Sequence, residues 1–188
     1  DIIADQVTVK GSTLSSQGDS VLFSEKGLLA IEADRNRITT TEHERDSKLF
    51  GLFGSDQTRT TRQEQAIVSD LNATSDLRLA SAEEMRLIGA KATAGKTLQV
   101  QAKGDLLIAS AQAQTHSETQ QVQRGLKASA RQTQDAQDGK ADSRQFEASL
   151  GYQVTNTQQQ ADQTMQTPSE LKGATVSLDS GAHLQVDG

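Results

Sequence analysis

Apolar residues along this chain occur in short alternating pulses, each too brief to form a strand with its own buried face. In the stretch TLQVQAKGDLLIAS (97–110), Leu98 and Val100 make one pulse, and Leu106 and Ile108 make the next after a glycine-containing turn. The same two pulses, built from leucine and methionine, stand 21 residues earlier. A fixed offset between matching pulses is typical of a repeat fold.

The repeat extends towards both ends of the chain. Each unit has two pulses that start 8 residues apart, and a weaker third pulse completes the pattern. The paired pulses are Leu77/Leu79 with Met85/Leu87, Val21/Phe23 with Leu29/Ile31, and Val176/Leu178 with Leu184/Val186, and Val7/Val9 fits the second position of an earlier unit. The third pulses are Leu14, Leu71/Ala73, Ala90/Ala92/Ala94 and Leu171.

Three short strands in about 21 residues predict an all-β fold, a parallel β-helix (solenoid) in which each strand pairs with its equivalent one turn later. The residues of the pulses point into a narrow core, while intervening residues such as Arg78 and Gln99 point to water. An antiparallel sandwich of short strands is the alternative, but it gives no reason for a constant offset.

The composition fits a thin core. Only 34% of the 188 residues are hydrophobic and 3% aromatic, which would also suit a disordered chain, but the periodicity favours an ordered one. A formal net charge of -6 argues against nucleic acid as a partner. No apolar run approaches the ~20 residues of a transmembrane segment. The absence of cysteine excludes disulfides and thiolate chemistry.

Two long segments interrupt the repeat at the same point of a turn, after the second strand and before the third. These excursions cover about residues 34–68 and 112–168, with one uninterrupted turn between them. Insertions at one point of a solenoid emerge from one side, and two turns of rise place their bases about 10 Å apart. We therefore expect two neighbouring extra-helical β-hairpins from one corner, the first with Thr-rich arms around LFGLFG.

The second excursion is harder to assign. RGLKASA and FEASLGYQVTN favour strands, and RQTQDAQDGKADSR between them lacks an apolar pattern and is predicted to be a mobile loop. A helix over Ser117–Gln137 is an open alternative, because Gln, Ala and Arg permit it.

Candidate functional residues lie in the excursions, where four of the five aromatic residues occur. An exposed aromatic patch there would suit a contact with another protein. The alternative, which we favour, is that the rings hold the excursions to each other or to the flank of the solenoid. The residues named for a partner contact are Leu49, Phe50, Leu52, Phe53, Phe146 and Tyr152.

The sequence predicts no cofactor, no metal site and no catalytic site. His43 lies between Glu42 and Glu44, but in a strand the two glutamates share the face opposite the histidine. Some parallel β-helices cleave polysaccharides, and such an enzyme is the remote alternative. It needs converging carboxylates, whereas the outward positions of the repeat form no acidic column.

Several stretches carry a family resemblance. GKTLQVQAKGDLLIASAQ, SDLRLASAEEMRLIGAKATAG and SELKGATVSLDSGAHLQVDG, together with the inserted TTTEHERDSKLFGLFG, are distinctive. They resemble the haemagglutinin repeats of filamentous-haemagglutinin-type exoproteins, including contact-dependent growth-inhibition effectors of Gram-negative bacteria. The resemblance covers nearly the whole chain. It implies a right-handed β-helix, two-partner secretion through an outer-membrane transporter and a filament on the bacterial cell surface, and it carries over no active-site residue.

The resemblance makes residues 1–188 a single β-helix segment of a longer filament, and the start Asp1-Ile2-Ile3 looks like the interior of a longer chain. In growth-inhibition members it implies toxin delivery through a component of the target cell's outer membrane. In adhesin members it implies attachment to a host surface receptor, a glycan or a protein. We expect a secreted, non-enzymatic segment of the first kind. Open strand edges at both ends also predict end-to-end self-association.

Overall fold

The computed structural model describes residues 1–48, 53–134 and 144–187, and for residues 132–134 and 144–147 it describes only the backbone. Regular secondary structure in these ranges consists of 18 β-strands. Fourteen strands are short, with three to six residues each, and four are long. The alternating pulses therefore form strands, and so do the excursions between them.

The bounds of the strands follow the chain. The short strands are β1 (Ile2–Ala4), β2 (Val7–Lys10), β3 (Thr13–Ser16), β4 (Ser20–Ser24), β5 (Leu29–Glu32), β8 (Ser69–Ala73), β9 (Leu77–Ser81), β10 (Met85–Ile88), β11 (Ala90–Ala94), β12 (Thr97–Ala102), β13 (Leu106–Ala109), β16 (Glu170–Lys172), β17 (Thr175–Ser180) and β18 (Leu184–Asp187). The long strands are β6 (Asp34–Lys48), β7 (Phe53–Ile67), β14 (Ala111–Gln134) and β15 (Arg144–Thr167).

The short strands form three parallel sheets. Their strand orders are β1-β4-β9-β12-β17, β18-β13-β10-β5-β2 and β16-β11-β8-β3. Consecutive short strands enter different sheets, so the chain passes through each sheet once per turn. Leu77 pairs with Leu98 and Met85 pairs with Leu106, the residues that stand 21 positions apart in the sequence. The predicted parallel β-helix is confirmed.

The core is a stack of inward-facing side chains from successive coils. Leu79 is fully buried and pairs with Leu22 in the coil before it and with Val100 in the coil after it. Met85 in the second sheet is likewise buried, between Leu29 and Leu106. Each coil buries only a few apolar side chains, and its neighbours cover them from both sides. A chain with 34% hydrophobic residues is therefore sufficient for this core.

The inward face of β4 differs from the prediction. The pulse Val21/Phe23 is only half-buried, and the residues that enter the core are Leu22 and Ser24. Leu22 pairs with Leu79, which fixes the register, so the predicted inward positions are wrong by one residue. Ser24 accommodates burial because its hydroxyl donates hydrogen bonds to the backbone carbonyl oxygens of Gly27 at 2.8 Å and Asp5 at 3.0 Å.

The same hydroxyl arrangement recurs at this corner in other coils. Ser81 Oγ donates to the carbonyl oxygens of Glu84 at 2.8 Å and Gly27 at 2.9 Å. Ser180 Oγ donates to those of His183 at 2.8 Å and Gly104 at 3.1 Å. Each serine therefore bonds its own turn and the turn of the preceding coil. Its hydroxyl is shared between two carbonyl groups, most of which also accept a backbone N–H, so it ties the two turns together.

The chain divides into two compact units. The first comprises Asp1–Ile38, Arg62–Thr115 and Asp162–Gly188, and it contains the β-helix and the bases of the long strands. The second comprises Thr39–Thr61 and His116–Ala161, the middle parts of the long strands. The long strands form a fourth sheet in the order β15-β14-β7-β6, so the two excursions are neighbouring β-hairpins.

Candidate interaction surface

The first hairpin re-enters the β-helix at Ser69, a fully buried residue. Its Oγ donates to the carbonyl oxygen of Glu32 at 2.6 Å, where the hairpin leaves the coil, and lies 3.5 Å from the carbonyl oxygen of Val9 in the preceding coil. The backbone N–H of Ser12 points at the same Oγ, with 3.5 Å between the heavy atoms. Ser69 therefore joins the exit and the return of its hairpin to the coil before it.

The second hairpin re-enters through the same arrangement. Ser169 Oγ donates to the carbonyl oxygens of Ala109 at 2.7 Å and Leu87 at 3.1 Å, and it accepts a bond from the N–H of Ala90 at 3.1 Å. Ala109 and Glu32 both pair with Ile88 in the coil between them, so the two hairpins leave from equivalent positions. One structural solution thus anchors both hairpins.

Replacing Ser69 with alanine is expected to lower the free energy of unfolding by about 0.5–1.5 kcal/mol, because the hydrogen bonds of its hydroxyl to the Glu32 carbonyl oxygen and the Ser12 N–H are lost. Chemical denaturation followed by circular dichroism measures this loss. The control is Ser129→Ala, which removes an exposed hydroxyl whose bond is to Ser149 Oγ at 2.7 Å. Equal stability losses in the two variants would contradict the anchoring role of Ser69.

The hairpins match the spacing of the coils that carry them. They leave from β5 and β13, which flank β10 in their sheet and so lie two coils apart. Two coils rise by about 9.6 Å, which is also the width of two strands at about 4.8 Å each. A hairpin on every second coil therefore has the spacing that lets β7 pair with β14. The expectation that the two excursions are neighbours is confirmed.

The first hairpin is held by polar contacts between its two strands. Arg37 forms an ion pair with Glu64 at 2.6 Å. His43 Nδ1 lies 3.0 Å from Thr58 Oγ1, and its Nε2 lies 3.4 Å from Asp56 Oδ1. His43 thus contacts β7 and not the glutamates beside it in the sequence. Within the ranges that the structure describes, no group of three His, Cys, Asp or Glu side chains could hold a metal ion.

A hollow of about 460 Å³ lies at the base of the hairpins, within the first unit. Lys10, Glu32, Asp34 and Arg35 line it with balanced charge, and the Lys10 ammonium group lies 3.9 Å from the carboxylate of Asp34. Both groups are half-exposed to solvent, so this is a weak surface pair. The side chains that line the hollow therefore favour neither an anionic nor a cationic ligand.

Among the side chains that the structure describes, three surface carboxyl groups have lowered pKa values. A hydrogen bond from the His183 side chain is the main cause for Asp105, and one from Lys172 is the main cause for Glu170. The hydroxyl of Ser75 lowers the pKa of Asp19, with help from the backbone N–H of Asp76. A general acid that works near neutral pH needs a raised pKa, so these three carboxyl groups are unsuited to that role.

The second hairpin has a polar and an apolar face. Ser129 and Ser149 meet across it on the polar face. Gln158 Nε2 donates to Glu118 Oε1 at 2.9 Å on the opposite face, farther along the strands. Side chains alternate between the faces of a strand, so the register with Ser129 opposite Ser149 places Tyr152 opposite Leu126, on the other face. The exposed fractions of these two side chains are 53% and 40%.

The exposed apolar row continues along β15. Leu150 and Val154 flank Tyr152 at intervals of two residues, so all three side chains share one face of the strand. Leu150 is 76% exposed and Val154 is 55% exposed. We call Leu126, Leu150, Tyr152 and Val154 the apolar row. Four large apolar side chains exposed together on a sheet face form the kind of patch that marks a protein contact.

The residues predicted for a partner contact fall in different places. Leu49, Phe50 and Leu52 lie outside the described residues, as does the side chain of Phe146. Phe53 is half-buried beside Gly125 of β14, with 3.9 Å between its ring Cδ1 and the position of a Cβ on that glycine. Tyr152 lies in the apolar row. Because β14 stands between β7 and β15, Phe53 and Tyr152 are separated by a strand.

Sequence reasoning missed three members of the apolar row. It selected aromatic residues, whereas Leu126, Leu150 and Val154 are aliphatic. The signal that could have found them is the alternation in FEASLGYQVTN, where every second residue from Phe146 to Val154 is apolar. The helix alternative over Ser117–Gln137 is wrong up to Gln134, because these residues belong to β14. The expected mobile loop falls mainly on residues 135–143, which lie outside the described residues.

Comparison with known protein families shows what kind of segment carries these hairpins. The family model described as "Hemagglutinin repeat" matches residues 50–188. The chain belongs to the hemagglutinin repeat family. Its match covers most of the β-helix and all of the second hairpin, which agrees with the resemblance noted from the sequence. The same comparisons find no matching curated protein and no matching solved structure.

Hemagglutinin repeats are typical of secreted or cell-surface exoproteins of the filament or adhesin type. The parallel coils of this chain fit such a role, because a solenoid extends by adding equivalent coils. Among the described residues there is no helix long and apolar enough to cross a membrane.

Proposed function

We propose that this chain is a non-enzymatic segment of a two-partner-secreted exoprotein at the surface of a Gram-negative cell, and that its hairpins supply a contact surface. The observation that carries the proposal is the apolar row, three side chains of β15 and one of β14 that the hairpin sheet leaves exposed. The β-helix supplies the support, because Ser69 and Ser169, where the hairpins return, bond the coil that each hairpin leaves and the coil before it.

A toxin-delivery effector of contact-dependent growth inhibition is the form of this function that we favour. It rests on the resemblance of the arm TTTEHERDSKLFGLFG, which leaves the repeat at the first excursion, to the filamentous-haemagglutinin-type exoproteins, a family that includes such effectors. The contact would then be with an outer-membrane component of the target cell. An adhesin stem is the second candidate, and the exposed Tyr152 favours it, because tyrosine is common where proteins bind partners directly.

A test uses the full exoprotein in its own cell, with residues His116–Ala161 replaced by a short Asn-Gly turn. We expect normal export, because the replaced residues lie outside the unit that holds the β-helix. We also expect loss of growth inhibition of target bacteria if the protein is a toxin carrier, or loss of host-cell adhesion if it is an adhesin.

The matched control is Ser129→Ala, on the opposite face of the same hairpin from the apolar row. It should leave export and both activities at the level of the unmodified protein. If the hairpin replacement were exported and kept both activities, the hairpin would have no contact function. Turnover of an acidic polysaccharide by the purified chain would contradict the non-enzymatic assignment.

A further inference from the structure

The two outer strands of the hairpin sheet differ in charge. β6 carries eight charged side chains among its 15 residues, a density that discourages another strand from pairing with its edge. β15 carries three among 24 residues. Between Ala148 and Ala161 it has no charged residue and no proline. Only the β15 edge therefore lacks the usual protection against strand pairing.

The unprotected stretch of β15 is also fully accessible. Its residues from Ala148 onwards are exposed along the strand, and among the described residues β14 is its sole neighbour in the sheet. The stretch contains four Gln, two Thr, one Tyr and one Val, side chains that tolerate or favour extended pairing. An incoming strand would find both the backbone edge and the side chains of the apolar row.

The pattern around Tyr152 is self-complementary. An antiparallel copy of β15 centred on Tyr152 places each tyrosine opposite its counterpart and each Leu150 opposite a Val154. Aromatic and aliphatic cross-strand pairs of this kind stabilise a sheet. The uncharged stretch brings no like charges together, so a second copy fits this edge better than a strand with a charged pattern.

We propose that two copies of this chain pair in an antiparallel manner along β15, with Tyr152 at the centre of the contact. Pairing joins the two four-stranded sheets into one sheet of eight strands, with the charged β6 strand at each end. The contact is isologous, so it closes at two copies. Where two copies lie side by side, this contact would join them laterally through their β15 strands.

End-to-end stacking of coils is a competing mode of association. The inward positions of β18 are also exposed, with exposed fractions of 50% for Leu184 and 65% for Val186. Stacking through such faces is head-to-tail, and it gives an open series of copies instead of a pair. The size distribution and the response to substitution therefore distinguish the two modes.

The test is sedimentation velocity of the 188-residue chain over a concentration series, with three variants. We expect the wild type to shift from one-copy to two-copy mass as concentration rises. Tyr152→Lys and Tyr152→Glu should each stay at one-copy mass, because like charges then face each other across the contact. An equimolar mixture of these two variants should regain the two-copy mass. Val186→Lys is the control on the coil face and should dimerise like the wild type.

Circular dichroism of each variant shows whether it is folded, and the mixture shows directly whether residue 152 faces its counterpart. If the wild type stays at one-copy mass, the proposal is wrong, and the β15 edge pairs only with a strand of different sequence. A series of larger species that Val186→Lys abolishes overturns it in favour of end-to-end stacking. A mixture that stays at one-copy mass also overturns it.

Discussion

Replacing Leu79 with alanine is expected to lower the free energy of unfolding by about 2–5 kcal/mol. Leu79 has no solvent exposure and stacks between Leu22 and Val100 in adjacent coils. Removing its side chain opens a cavity in a close-packed core to which each coil contributes only a few side chains, so its neighbours can fill the space only in part. The loss should therefore lie towards the upper part of this range.

Urea denaturation followed by circular dichroism measures the effect. The control is Leu107→Ala, an outward position on β13 that pairs with Arg86 and is only half-buried. We expect it to lower the free energy of unfolding by less than Leu79→Ala, by about 1–2 kcal/mol, because part of its side chain already contacts water. Similar losses for the two leucines would mean that the stacked interior does not dominate the stability of the fold.

The coil architecture could be predicted because its determinants are local and repeated. Leu98 and Val100 face the same side of a short strand, and the same pattern returns at a fixed offset in Leu77 and Leu79. In a parallel β-helix the partner of each residue is its own equivalent one turn away. The offset therefore predicts both where the strands lie and which strands pair. In most β folds the pairing depends on segments that are distant in the sequence and cannot be predicted in this way.

The register of β4 could not be predicted from apolar residues alone. Val21, Leu22 and Phe23 form an uninterrupted apolar run, so either alternate set could face the core. The structure buries Leu22 with Ser24, because the serine hydroxyl finds two carbonyl partners at the corner. A buried polar residue with satisfied hydrogen bonds has no signature in a hydrophobic pattern.

The hairpins show a second limit of the sequence. Gln-, Ala- and Arg-rich residues of β14 permit a helix by intrinsic propensity, yet they pair with β7 on one side and β15 on the other. Propensity is a weak preference that tertiary pairing overrides. The anchoring role of Ser69 and Ser169 could not be predicted either, because it depends on the structure bringing the exit and the return of each hairpin together.

Replacing Gly89 with valine is expected to lower the free energy of unfolding by about 2–5 kcal/mol, from two effects. Gly89 has a φ of 57°, a left-handed conformation that costs an L-residue about 1–2 kcal/mol and a β-branched one more. A Cβ at this corner would also overlap Ala111 and crowd Ala33, the residues at which the flanking coils send out their hairpins. Overpacking of this kind adds about 1–3 kcal/mol.

The corner at Gly89 thus shows why the coil between the hairpins turns without an excursion of its own. Its tight left-handed turn lies between two coils whose chains depart at equivalent positions, and a side chain there would push them apart. The control is Gly18→Val, where φ is not left-handed and no atom lies within 4 Å of the added Cβ. We expect that variant to stay within about 1 kcal/mol of the wild type in urea denaturation. If Gly89→Val were as stable as Gly18→Val, the spacing of the two hairpins would not depend on this turn.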